Sequence, residues 1–563
     1  MRLDGTQAWI SLPQHILAMS RRTLSWANLP SLRFGRGRKM GHRASALKEL
    51  APMRSGQGSV LRALGVIFAV LAITWQLRAA DTVVGWRGDG SGRYPDARPP
   101  TQWYLQEDGQ SKNILWKTKL PCYSWSTPVI VGEKIFTRCE PYDLTCLDKN
   151  TGKLLWIRSH PPIMAVSDQQ KKDNPAIRAI DPVLDELQKV NDAFVAQGWS
   201  KELYKQKYDL QKKINDMTAE ADEQYRLPKD MYVESWAGYT GSTPCSDGKF
   251  IYLTSGSGII ACYDLDGNRK WVRYESLSSI WGEHGSACSP ALVGDKLVVK
   301  TKKYAALDKK TGEEILTFAP KGGNDSYTIL PFRAGGEDYV IAGGNFLRMR
   351  DGKSVFYADL CNMVTTNDNI AYFATFGHTY WARWEPAANG ELTVSALIKG
   401  EYSRITFPVD DPKLKWEPMH SFYTASPLYH DKLLYCLSNW GKLVVLDTEK
   451  STQAEGLVYS KNLPFTFKNP KGRKSIGMGI GASPALGGKY IYMIDSAGCT
   501  IVMEPGREYR QVAMNCIDYT VPEGWEPKHW LGPHHEQTEA SLVFDGARIY
   551  IRGEQFLYCV GEQ

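Results

Sequence analysis

Self-similarity constrains this chain more than any other property. A Ser or Thr beside Pro, an apolar run, a Gly or Asp-Gly turn, an alternating strand and then Leu-Asp-x-x-x-Gly recur along it, which marks a repeat array rather than separate domains. The first copy runs from Ser126-Thr127-Pro128 through Val131-Gly132 to Cys146-Leu147-Asp148, Gly152 and Trp156. The second runs from Ser242-Thr243-Pro244 through Asp247-Gly248 to Cys262-Tyr263-Asp264, Gly267 and Trp271. Others begin at Ser289-Pro290, Ser426-Pro427, Ser483-Pro484 and Ser541, and degenerate copies cover about 328–355 and 365–398. Each holds roughly four short runs of Val, Ile, Tyr, Leu and Phe between turn residues, the pattern of a four-stranded antiparallel unit.

Such a unit buries its faces only against neighbours, so eight of them predict radial closure. The expected fold is all-β, an eight-bladed β-propeller of four-stranded antiparallel blades over residues 113–563. Asn113-Ile114-Leu115-Trp116-Lys117 resembles an outermost strand but precedes the first copy, while the last copy ends without one; it is expected to complete the final blade. The spacing agrees, because Trp116 precedes Ser126 by the same interval as Trp416 precedes Ser426. Between blades 1 and 2, about residues 160–232, the period turns helical, with Asp181 as N-cap, apolar positions at Leu184, Leu187, Val190 and Phe194, Gly198 as stop, and a second run from Leu203 to Ala221. A helical hairpin is predicted there, either a rim decoration or a partner-docking element. Residues 81–112, rich in Gly and Pro and containing Gly85-Trp86-Arg87-Gly88, are expected to lie extended against the propeller.

Charge locates the leader. The 563 residues carry 68 Lys+Arg and 61 Asp+Glu, a formal +7, but residues 1–80 hold twelve of the bases and only Asp4 and Glu49 as acids. That leaves 56 bases and 59 acids in 81–563, a net of −3, and no basic patch with interleaved aromatics stands out there, so nucleic acid is not expected as a partner. Arg54 and Arg62 precede an apolar run from Ala63 to Trp75 and then Leu77-Arg78-Ala79-Ala80, the order of a secretory signal. Residues 53–80 are therefore expected to be a signal peptide or signal anchor, and 1–52 a basic, disordered or mis-assigned extension. The protein is expected in the periplasm or secreted, meeting a membrane only if that segment stays uncleaved.

With these residues in view, the chain resembles the quinoprotein-like (PQQ-repeat) β-propeller family, in its secreted bacterial branch, where a Trp-Arg-Gly segment follows the signal. The resemblance covers about residues 81–563 and implies that the repeat Trp is an inter-blade structural residue. It also raises a PQQ cofactor with calcium, which family dehydrogenases hold beneath a vicinal disulfide. No adjacent Cys pair occurs among the eleven Cys, so no cofactor is assured. The propeller subunit of the outer-membrane protein assembly machinery resembles the chain in its repeat but is a lipoprotein, and the lipid-acceptor Cys is absent. The resemblance implies a non-enzymatic binding or scaffolding module for a periplasmic or envelope protein or a saccharide. The alternative is a PQQ-dependent oxidoreductase acting on an alcohol or sugar.

Loops that lead into the Ser-x-Pro strands should converge near one mouth of the channel. Trp125, Glu283, His284, His420, His534, His535 and Glu536 occupy such loops and form the candidate ligand site, since imidazoles beside carboxylates can bind polar ligands or act as bases. Their spacing does not demand a metal, none is assigned, and catalytic residues stay unknown. Cys146, Cys262 and Cys559 share a repeat slot filled elsewhere by Ala306, Val445 and Val502, which reads as a small buried strand position. A Cys122–Cys139 disulfide remains open.

Overall fold

The computed structural model describes residues 84–105, 109–227, 238–276, 288–322, 328–357, 363–367, 370–375, 378–386, 392–401, 425–439, 441–450, 453–465, 480–517 and 538–562. All of them belong to one compact unit, Ala72–Gln563. The expected extension at 1–52 and leader at 53–80 lie outside the described residues.

Each repeat folds as an antiparallel meander. Val129–Val131, Lys134–Cys139, Asp143–Asp148 and Leu154–Ser159 pair in chain order, and the sheets at 245–274, 291–317, 330–357, 363–401 and 428–462 follow the same order. The sheet of Val543–Asp545, Arg548–Arg552 and Phe556–Gly561 takes Ile114–Lys119 as its outer strand, so the two ends of the repeat array share one sheet as expected. The expectation of eight four-stranded blades is corrected in number: seven sheets have four strands, whereas the sheet at 485–516 has five. There Arg93–Tyr94 adds in parallel to the inner strand Ala485–Gly487. An inner strand leaves one edge of N–H and C=O groups unpaired toward the axis, and the extended lead-in segment satisfies part of it.

The pairing of the third strand with the outer strand slips by one residue at the same repeat position in each sheet, for example at Cys146/Leu147, Cys262/Tyr263, Ala306/Leu307, Val445/Leu446 and Cys559/Val560. A bulge increases local twist and re-aims the outer side chain. Trp116, Trp156 and Trp271 stand opposite Cys559, Cys146 and Cys262, and each indole reaches the next sheet. Their Nε1 atoms donate to the carbonyls of Lys149 (3.2 Å), Leu265 (3.2 Å) and Lys309 (3.1 Å), while the rings cover Gly152, Gly267 and Gly312. These glycines have φ of 71°, 82° and 75°, and a Cβ on any of them would enter the indole. The Leu-Asp-x-x-x-Gly turn thus forms the socket for the neighbouring Trp. Its Asp organises the turn: Asp148 Oδ1 accepts from Asn150 N and Thr151 N, and Asp308 Oδ1 from Lys310 N and Thr311 N.

Between the first and second sheets stand the helices Asp181–Gln197 and Lys201–Ala221, preceded by the short helices Asp168–Asp173 and Pro175–Arg178. Ile180, not Asp181, is the N-cap, because Asp181 already has helical backbone, while Gly198 ends the helix with φ 79°. The pair is pinned to the first sheet by a buried network. Lys207 Nζ meets Asp143 Oδ2 at 2.6 Å and also donates to Asn191 Oδ1. Asn191 Nδ2 donates to Ser159 Oγ (3.0 Å), which donates to Asp143 Oδ1 (2.6 Å). Apolar packing of Leu187 and Ile214 with Tyr142 and Tyr239 completes the seat.

Candidate functional site

The hydroxyl residue that precedes Pro in the repeat links neighbouring inner strands. Thr127 N donates to Thr243 Oγ1 (3.2 Å) and Thr243 N to Ser289 Oγ (2.9 Å). Ser426 N donates to Ser483 Oγ (2.9 Å) and Ser483 N to Ser541 Oγ (3.2 Å). A side chain in one sheet thereby satisfies the backbone N–H of the previous one, at the end where each inner strand begins. In a four-stranded meander the turn between the second and third strands returns to that same end.

Asp495 sits in such a turn. Its Oδ1 accepts from Ala497 N (3.0 Å) and Cys499 N (2.8 Å), the turn-closing role that Ser438 Oγ performs for Lys442 N. Asp495 is wholly buried, and its Oδ2 has no partner among the described residues. The blade-linking segment lies against it: Thr538 N donates to Ser496 O (3.2 Å) and Thr538 Oγ1 to Asp495 O (2.6 Å). Glu539 is thereby held beside Asp495, in a space that a Cβ on Gly481 would fill. Although the residue as a whole is only partly buried, its Oε1 is closed off from solvent and unpartnered among the described residues. Burial pushes the Asp495 carboxyl up to about 7; burial and then the neighbouring Asp495 charge push Glu539 up to about 8. Nearby, Cys499 and Cys516 form a disulfide between facing strands.

A second buried carboxyl, Glu140, joins the first two sheets. It accepts from Tyr239 N (3.1 Å), Thr240 N (2.7 Å) and the Thr240 hydroxyl, and burial nevertheless raises it to about 7. Arg138 donates to Asp143 O (3.1 Å) and Thr254 O (2.7 Å), and burial lowers it to about 10. His160, 3.4 Å from that guanidinium, is held well below its ordinary value by burial and by the Arg138 charge, and so is neutral. The Glu140 carboxylate is met by three donors of the fold. The Asp495–Glu539 pair keeps an unpartnered oxygen on each carboxyl among the described residues: near neutral pH it can hold a proton, donate it, or face a polar or cationic group. Among the described residues no group of three or more His, Cys, Asp or Glu side chains is placed to hold a metal ion.

Of the expected site residues, Trp125 is described and partly buried, on the approach to Thr127. Glu283, His284, His420, His534, His535 and Glu536 lie outside the described residues. Sequence reasoning missed Asp495 and Glu539. The position two residues before the repeated hydroxyl holds Trp125, Gly241, Ala287, Thr424, Gly481 and Glu539, so Glu539 is the one acid in that slot of these six copies. Cys146, Cys262 and Cys559 are buried free thiols pushed up to about 12 by burial, consistent with a packing role. Cys122 and Cys139 are both buried and free, so the open disulfide between them is not formed.

The family model described as PQQ_2, outer membrane protein assembly factor BamB, matches residues 234–354. Among solved structures, BamB from Moraxella catarrhalis is 14% identical, with 56% of this chain and 81% of that chain covered at a TM-score of 0.36. Quinohemoprotein alcohol dehydrogenase ADHIIG from Pseudomonas putida HK5 is 11% identical, with 83% and 78% covered at 0.44. Quinohemoprotein alcohol dehydrogenase from Comamonas testosteroni is 9% identical, with 80% and 76% covered at 0.43. No curated protein matches the sequence.

Proposed function

We propose that the chain, a β-propeller whose residues 234–354 match the PQQ_2 family model, is an exported, non-enzymatic binding or scaffolding module for a protein or saccharide of the cell envelope. We read its five-stranded sheet as the eighth blade of the ring and its helical pair as an insertion on the rim. One observation carries the reading: the chain's own lead-in segment occupies the axis. Arg87, fully buried, donates from Nη1 to Pro427 O (3.2 Å) and from Nη2 to Pro484 O (2.8 Å), bridging two inner strands. Binding surface is then offered by the rim, the helical pair and the face of blade-linking loops.

The residues present do not fit a quinone held in the family manner. The family's alcohol dehydrogenases pair the quinone with a disulfide between adjacent Cys, whereas here Arg87 lies between two inner strands, and Cys499 and Cys516 bridge two strands. The oxidoreductase reading keeps one observation in its favour, the near-neutral Asp495–Glu539 pair, which has the proton affinity of a general base. The readings separate on purification with added quinone and calcium. A bound redox quinone, seen by absorption and mass, together with dye-linked dehydrogenase activity would overturn the scaffold reading. Crosslinking in cells should recover a reproducible envelope partner, and recovery of none counts against it.

A further inference from the structure

The segment 84–94 crosses the channel from one side to the other. Val84 exchanges backbone hydrogen bonds with Ser246 (3.0 and 2.7 Å), and Gly85 lies over Cys245, both on an inner strand of the second sheet. Trp86 packs with Leu330 and Phe332 of the fourth sheet. Leu486 N then donates to Gly92 O (2.9 Å) where the segment joins the five-stranded sheet. Arg87 is the centre of this crossing.

Its acceptors have a common origin. Pro427 and Pro484 occupy the same repeat position in successive sheets, and a proline there offers a carbonyl without an N–H of its own. A planar guanidinium donates to two such carbonyls at once, which a single ammonium point charge does less well. Yet the occupant is held at a cost. The Asp89 charge and the Trp86 ring, 5.3 Å from the guanidinium, offset part of it, but its Nε is buried without a partner among the described residues, and its φ of 54° is one that few side chains adopt. Burial lowers the guanidinium to about 10. A buried cation in a left-handed backbone conformation with one N–H unpaired is a poor choice for a purely structural filler.

We propose that the paired carbonyls of Pro427 and Pro484 form a guanidinium seat on the channel axis, which Arg87 fills as a displaceable internal ligand and which an arginine side chain of a partner segment can take in its place. The inference rests on the same axial segment that carries the scaffold reading and adds the axis to the rim and loop face as a place where a partner binds; its failure would leave the rim and the loop face as the binding surfaces.

The test uses the full chain with Arg87→Gly, which suits the positive φ, and Arg87→Lys. Cys245, covered by Gly85, is the reporter thiol; Cys436, buried in another sheet, is the control. In R87G, maleimide labelling of Cys245 should accelerate about tenfold while Cys436 is unchanged, the mark of local opening rather than global loss. N-ethylguanidinium should restore protection in R87G saturably, and N-ethylammonium should not. A synthetic Val84–Gly92 peptide should bind R87G and not the parent chain, and its lysine version should bind about tenfold more weakly. Equal effects of the two small cations, or equal binding of the arginine and lysine peptides, would overturn the proposal. Should R87G not fold, R87K supplies the readout: Cys245 labelling as slow as in the parent chain would sink the seat's preference for guanidinium.

Discussion

Trp116, from the N-terminal strand that completes the last sheet, lies with its indole over Gly152, in the third-strand turn of the first sheet. This contact shuts the ring, and it uses the same socket as Trp156 on Gly267 and Trp271 on Gly312. Gly152→Ala should destabilise the chain by about 2–3 kcal/mol, combining the positive-φ cost with intrusion on Trp116 2.5 Å away. Gly132→Ala, with φ 59° and no atom within 4 Å, isolates the backbone share and should cost about 1 kcal/mol. Urea denaturation of the two variants measures the difference; equal losses would mean that the socket contributes nothing.

The hydroxyl chain between inner strands has a cost structure of its own. Ser483→Ala removes the acceptor of Ser426 N and leaves a buried N–H unpaired, so about 1–3 kcal/mol should be lost. Ser483→Thr keeps the oxygen and should retain most of the stability. Hydrogen exchange at Ser426 should quicken in the first variant and not in the second.

Proton linkage at the acidic pair has a definite sign. Asp495 and Glu539, raised to about 7 and about 8, hold protons when folded that the unfolded chain releases near pH 4, so stability falls as pH rises from about 4 to about 8 and levels off above. Glu539→Gln removes one such group, and its loss of stability between pH 5.5 and 8.5 should be smaller than the parent's, on the order of 1 kcal/mol or more. Denaturation midpoints at the two pH values report this. An unchanged difference would show that Glu539 ionises as an ordinary carboxylate.

Lys207 ties the helical pair to Asp143. Lys207→Met strands a buried carboxylate and should cost about 3–5 kcal/mol, felt first in the helices. Pairing it with Asp143→Asn should recover part of the loss. Limited proteolysis should cut the 160–227 region of the single variant faster than that of the double variant; equal rates would remove the pair from the account of how the helices are held.

What repeats was readable. The Trp, Gly, Asp and hydroxyl-Pro positions recur at fixed places because each does the same mechanical job wherever it occurs, and the strand at 114–119 was recognisable by its Trp. The parallel strand Arg93–Tyr94 was not, since two residues carry no periodicity and their pairing is set by where the axis lies. Asp495 was hidden by its likeness to the turn residues Ser255 and Ser438; its burial comes from Thr538, distant in sequence, closing over the turn. Asp181 lost the cap position because Ile180 and its neighbours extend the helical region backwards by one residue.

The shared sheet formed by Ile114–Lys119 and Phe556–Gly561 also sets a timetable. A chain made from its N-terminus exposes the first of these strands early and the second only after every intervening sheet has been made. Throughout that interval Leu115 and Trp116 have no partner strand, and the ring cannot shut. A nascent strand edge of this kind invites pairing with other chains. Until then this segment needs shelter, and its pairing with Phe556–Gly561 is the event that closes the array.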